Sequence, residues 1–152
     1  MFYFVHLLVG ALVGKYFPSL FIVIILSFLI HFVLDILPHW DGFWDKKDYK
    51  KNYFKKLPIK NLIVELIDIS VAVFVFICLF NFNNFFILIG AFFCVLPDIL
   101  KIFYLTPLKN LNFYKKYLSF HTRMQNDVSF ILGILIQLLI SIIAILLLIH
   151  KL

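Results

Sequence analysis

The sequence predicts an all-α integral membrane bundle, one domain spanning residues 1–152, with about five transmembrane helices. Three observations lead there. Hydrophobic residues make up 64% of the chain, charged residues only 14%, and the mean hydropathy is +1.04; soluble domains carry about 45–50% apolar and about 25% charged residues. The apolar residues gather into five runs long enough, or nearly so, to cross a bilayer. The basic residues are segregated between those runs, which is how a multi-pass protein encodes its orientation.

The first run, residues 1–17, lacks the basic start of a cleaved signal peptide. It carries His6 and a small-residue face, Gly10, Ala11 and Gly14, suited to close helix packing. Pro18 and Ser19 mark a turn. The second helix, residues 19–37, is about 28 Å long at 1.5 Å per residue. It ends before Pro38, which lacks an N–H and disfavours helix at the preceding residue. The third and fourth helices are expected at 59–80 and 85–104, the latter with a second small-residue face at Gly90 and Ala91. The segment 106–125 is basic and aromatic and reads as partly an interfacial helix. The fifth span, 127–149, is apolar apart from Gln137, Ser129 and Ser141. Cys78 and Cys94 have no zinc-ligand or redox spacing and are expected to be buried thiols.

Lysines orient the bundle. The stretch 38–60 holds Lys46, Lys47, Lys50, Lys51, Lys55, Lys56 and Lys60, interleaved with Trp40, Trp44, Tyr49, Tyr53 and Phe54. The stretch 101–123 holds Lys101, Lys109, Lys115, Lys116 and Arg123. The positive-inside rule places both in the cytoplasm, with the N-terminus inside and the C-terminus outside, in a cytoplasmic (inner) membrane. Aromatic rings and ammonium groups of this kind suit a headgroup layer and anionic lipid. Nucleic acid is excluded as a partner, since no folded module remains to present these residues.

The chemistry concentrates on His31-Phe-Val-Leu-Asp35-Ile-Leu-Pro38-His39-Trp40-Asp41. His31 and Asp35 are four apart and share one helix face. A histidine and a carboxylate inside a span are costly unless paired, protonated or bound to an ion. On the predicted topology His6, His31, Asp35, His39, Asp41, Glu65, Asp68, Asp98 and His121 all fall within about 15 Å of the cytoplasmic boundary. The outer halves carry no Asp, Glu or His apart from His150 at the extreme end. One shared cavity open to the cytoplasm accounts for that segregation. Four carboxylates, Asp35, Glu65, Asp68 and Asp98, stand at membrane depth with only Lys101 and Arg123 near enough to offset them. Mixed His and Asp ligands then point to one or two divalent ions, zinc, manganese or iron before magnesium or calcium, with zinc or manganese preferred.

These motifs resemble those of small bacterial membrane proteins grouped as membrane-bound metal-dependent hydrolase-like. The matching features are His31 with Asp35, Pro38-His39-Trp40-Asp41, Leu96-Pro97-Asp98 and Phe120-His121; the longer members' His-Arg pair is missing. The resemblance implies a hydrolase, acting here on a lipid-like phosphoester or ester. In that reading His31, Asp35, Asp98, His121, Asp41 and His6 are metal ligands. His39, Asp68 and Glu65 serve catalysis or orient ligands, and Arg123 and Gln125 meet a substrate phosphate. Two other readings compete. One is a non-catalytic membrane scaffold or subunit held by polar bonds between helices. The other is an ion- or proton-binding transport component, which would require oligomerisation because the outer halves offer no second half-pathway.

Overall fold

A computed structural model of the chain describes residues 1–40, 42, 59–80 and 84–150. Among these residues the fold is all-helical, with six α-helices and no strand. They are α1 (Tyr3–Tyr16), α2 (Leu20–Ile36), α3 (Ile59–Phe80), α4 (Phe85–Ile99), α5 (Asn112–Met124) and α6 (Phe130–Ile149). Two 3-10 turns, Leu100–Leu105 and Pro107–Asn110, join α4 to α5. By length and composition α3 and α6 are apolar enough to cross a membrane, whereas α1, α2 and α4 are apolar but shorter. Residues 43–58, which carry most of the lysine-rich stretch, and Asp41 lie outside the described residues.

α1 is the central helix and touches α2, α3, α4 and α6. It is buried on nearly every side, at Val5, His6, Leu7, Leu8, Gly10, Ala11, Val13 and Gly14, as expected of a helix that is apolar all round. Its small-residue face meets the one on α4. A Cβ placed on Gly10 would fall inside the contact distance of the Gly90 carbonyl oxygen, and one on Gly14 would collide with the Phe86 carbonyl. The two backbones therefore run antiparallel in direct contact, Gly10 beside Gly90 and Gly14 beside Phe86. At its far end Lys15 donates to the carbonyls of Leu147 (2.7 Å), Leu148 (3.1 Å) and His150 (2.5 Å). These are terminal α6 carbonyls with no intrahelical partner.

The near end of α1 is held by polar side chains from other helices. Phe2 N donates to Gln137 Oε1 at 2.9 Å, Tyr3 N to Asp68 Oδ2 at 2.8 Å and Phe4 N to Asp68 Oδ1 at 3.4 Å. Asp68 thus caps α1 from α3, placing a carboxylate on the positive end of the helix dipole. Gln137 also donates to the Trp40 carbonyl at 2.7 Å, so one amide ties α1, α6 and the segment after α2. Replacing Gln137 with leucine removes the side-chain hydrogen bonds to Phe2 N and to the Trp40 carbonyl. We expect it to lower stability by about 1–2 kcal/mol, read from thermal unfolding in detergent.

Large side chains on α2, α3 and α6 face outward, among them Phe21, Phe74 and Ile131 at 73%, 67% and 71% exposure. Cys94 is buried as expected, but Cys78 is exposed on the outer face of α3. The fourth helix stops at Ile99 rather than 104. Its last turn tightens to 3-10 after Pro97, which cannot donate to the preceding turn. The last helix starts at Phe130 rather than 127, because the residues before it pair with the chain after α2. His39 N donates to Asn126 O (3.1 Å), Val128 N to His39 O (3.0 Å) and Asn126 N to Asp35 O (3.1 Å). These bonds satisfy α2's terminal carbonyl and fasten α5 against α2.

Candidate metal centre

Four side chains from three helices converge at the near end of the bundle. α2 supplies His31 and Asp35, α4 supplies Asp98, and α5 supplies His121. All four are buried, and one ligand atom from each lies within 4.8 Å of the others. His31 Nε2 is 2.9 Å from His121 Nε2 and 3.3 Å from Asp35 Oδ2. His121 Nε2 is 3.4 Å from Asp98 Oδ1 and 3.7 Å from Asp35 Oδ2, and His31 Nε2 is 4.0 Å from Asp98 Oδ1. Ligands about 2.0–2.2 Å from a tetrahedral ion stand about 3.3 Å apart. The observed spacings bracket that value.

Local structure explains each position. His31 and Asp35 are stacked one turn apart, as their spacing predicts. Asp98 is fixed by the turn after Pro97, whose carbonyl accepts a hydrogen bond from Tyr117. Tyr114 donates to the carbonyls of Leu100 (3.1 Å) and Lys101 (3.0 Å). Tyr114, Tyr117 and His121 share one face of α5, at i, i+3 and i+7, and this face packs the helix onto the end of α4. Phe32 is set edge-on to His31 and His121.

The donor set could hold a metal ion. His31 Nδ1 lies 2.8 Å from the Cys94 carbonyl. A proton on Nδ1 makes that bond and leaves Nε2 with a bare lone pair aimed into the cluster, the outer-partner arrangement of metal-binding histidines. Burial pushes the His121 imidazole below its ordinary value, against the pull of Asp98, which favours the neutral ring a metal requires. Asp35 Oδ2 is buried with no hydrogen-bond partner among the described residues, a costly arrangement unless something else meets it. Lys101 Nζ sits 2.5 Å from Asp98 Oδ1, so the ion pair expected from their spacing is formed and shares that oxygen with the cluster.

The remaining sequence candidates divide. His6 is buried beside the four, its ring stacked on His31 with centroids 4.2 Å apart. His39 is buried one turn of chain further on, its Nδ1 2.8 Å from the Leu37 carbonyl and its Nε2 4.0 Å from Asp127; it helps close the α2–α6 junction. Glu65 accepts from Tyr3 Oη at 3.0 Å, and Asp68 caps α1, so both have structural partners beside the cluster. Arg123 is exposed; two residues from His121 is a rotation of about 200° on a helix, which turns it away from the cluster. Gln125 is the residue that ends α5. Sequence reasoning missed Tyr3, Tyr114, Tyr117 and the Cys94 carbonyl. No sequence signal marks a backbone carbonyl; Tyr114 and Tyr117 fall in the stretch 106–125, which reads as a basic, aromatic interfacial segment, and Tyr3 falls in the first apolar run without a signal of its own.

No family model, curated protein or solved structure matches the chain. The functional reading therefore rests on the geometry of this centre.

Proposed function

We propose that this chain is a multi-pass membrane protein with a metal-dependent hydrolase site in the cytoplasmic leaflet, acting on a lipid-like phosphoester or ester. The observation that carries the metal is the buried His31, Asp35, Asp98 and His121 cluster. The five-span topology is supported by contact geometry. α1, α3 and α6 run one way and α2 and α4 the other, judged from Tyr3 with Asp68, Lys15 with the end of α6, Gly10 with Gly90, and His6 with Asp35. That alternation is the one five spans require, and the cluster lies at the end where α1 and α3 begin and α2 and α4 finish.

A divalent ion in such a centre polarises an ester oxygen and lowers the pKa of water. The protein's part is to hold it and to bring a substrate alongside. Asp35 and Asp98 supply charge, His31 and His121 supply neutral nitrogen ligands, and Lys101 stands at the rim as a cation for a phosphate. An apolar groove of about 400 Å3 lies between α1, α3 and α4 and reaches Asp98. It is lined by Leu7, Ala72, Val73, Phe76 and Ile77, with Tyr3 and Asp98 at its polar end. A hydrocarbon chain in the groove places a headgroup at Asp98, and the volume is in the range of ordinary ligand sites.

The test is hydrolysis of long-chain alkyl phosphates and esters by metal-loaded protein in nanodiscs. Ala72→Phe fills the groove and is expected to lower turnover of a long-chain substrate at least tenfold while metal content stays at the wild-type level. Equal turnover in both proteins would remove the groove from the substrate path. The scaffold reading draws on Asp68 and Gln137, which bond between helices without any ligand; protein that takes up no zinc or manganese would favour it.

A further inference from the structure

His6 is the one histidine at the cluster for which the four-ligand centre has no use. It is fully buried, and neither Nδ1 nor Nε2 has a hydrogen-bond partner among the described residues. A buried imidazole with both nitrogens unanswered is costly. Its Nε2 faces the two carboxylates of the centre from the other side. Asp35 turns Oδ2 towards His31 and His121 and Oδ1 towards His6 Nε2, 3.3 Å away. Asp98 turns Oδ1 towards His121, His31 and Lys101 and Oδ2 towards His6 Nε2, 3.8 Å away.

We propose that His6 Nε2, Asp35 Oδ1 and Asp98 Oδ2 form a second divalent-cation subsite, so that Asp35 and Asp98 each bridge two ions. This rests on the metal reading of the first centre. Both carboxylates present one oxygen to each side, and the His6 ring lies stacked on His31. That places two nitrogen ligands beside one another, facing opposite oxygens of Asp35. Paired catalytic ions stand about 3.5–4 Å apart and clamp a phosphate between them. The four carboxylates Asp35, Asp98, Glu65 and Asp68 outnumber the ammonium groups of Met1 and Lys101 beside them, so the site carries the negative excess that draws divalent cations. The rival for Asp35 Oδ1 is the amino group of Met1, 3.1 Å away, which brings one charge and leaves His6 Nε2 unanswered.

The experiment counts manganese in full-length protein, stripped with chelator, reloaded in detergent and desalted. Electron paramagnetic resonance on the same samples reports whether two ions are coupled. Wild type is expected to hold two ions per chain with an exchange-broadened spectrum. His6→Gln is expected to hold one, with an isolated six-line spectrum. One uncoupled ion per chain in wild type would overturn the second subsite and leave the first standing, whereas no manganese in wild type would overturn both. If His6→Gln fails to fold, the wild-type stoichiometry and spectrum decide alone.

Discussion

Asp98→Asn is expected to strip the chain of bound zinc or manganese while leaving its helices in place. Asp98 is the only cluster ligand contributed by α4, and its oxygens face His121, His31 and His6. Asparagine keeps the shape but removes the charge, and its amide nitrogen would point a donor at ligand nitrogens or an ion. Losing an outer partner of a metal ligand costs about 10–100-fold in affinity; losing a charged ligand is expected to cost at least about 100-fold. Metal content by mass spectrometry should fall from one or more ions per chain to a small fraction of one. Circular dichroism should hold, because the Asp68 cap, the Gln137 clamp and the α1–α4 packing do not involve Asp98. Retention of full metal content would take Asp98 out of the centre. A collapse of helicity along with the metal would make the residue a structural partner of Lys101 instead.

The second large effect is expected from a single methyl group. Gly14→Ala places a Cβ against the Phe86 carbonyl, with Ile87 Cα 2.7 Å away. Every atom it meets is backbone, so no side chain can rotate aside. Overpacking of this kind typically costs about 1–3 kcal/mol. Here the upper end or beyond is expected, because relief requires α1 to move off α4 along its length. α1 also carries His6 and the Asp68-capped turn, so the displacement should reach the centre. The variant is expected to lose at least about 3 kcal/mol, read from thermal unfolding in detergent, and to lose metal as well. Ala11 lies on the same helix and is already a methyl in contact with its neighbours. A Gly14→Ala protein that unfolds at the wild-type temperature would mean the two helices are not in backbone contact.

Much of the fold was legible because it depends on local pattern. The apolar runs gave five of the six α-helices, with both ends of 59–80 as observed and the end of α2 set by Pro38. The small-residue faces at Gly10, Gly14 and Gly90 marked where helices approach closely. His31 and Asp35 were readable as a pair because helical geometry alone puts them on one face, and the pair Asp98 and Lys101 for the same reason. The boundary at Ile99 shifted because the turn tightens after Pro97, and Tyr114 then holds the Leu100 and Lys101 carbonyls. The boundary at Phe130 shifted through residues distant in sequence, His39 with Asn126 and Val128.

The sequence by itself determined that this chain is an apolar helical bundle in which four of the five histidines and the buried carboxylates gather at one end. Composition and periodicity act over a few residues at a time and need no partner. Only the tertiary structure decided which of those polar groups form the centre. His39 and His121 are equivalent in composition, yet α5 folds back to bring His121 within 2.9 Å of His31, while His39 is drawn to the α2–α6 junction. Asp68 and Asp98 are both buried acids, yet one is held by the N–H groups of α1 and the other faces imidazoles. A buried polar group takes whichever partner the packing supplies, and here that packing is set by α1. Its glycines let α4 close against it and bring His6, His31, Asp35 and Asp98 to one point.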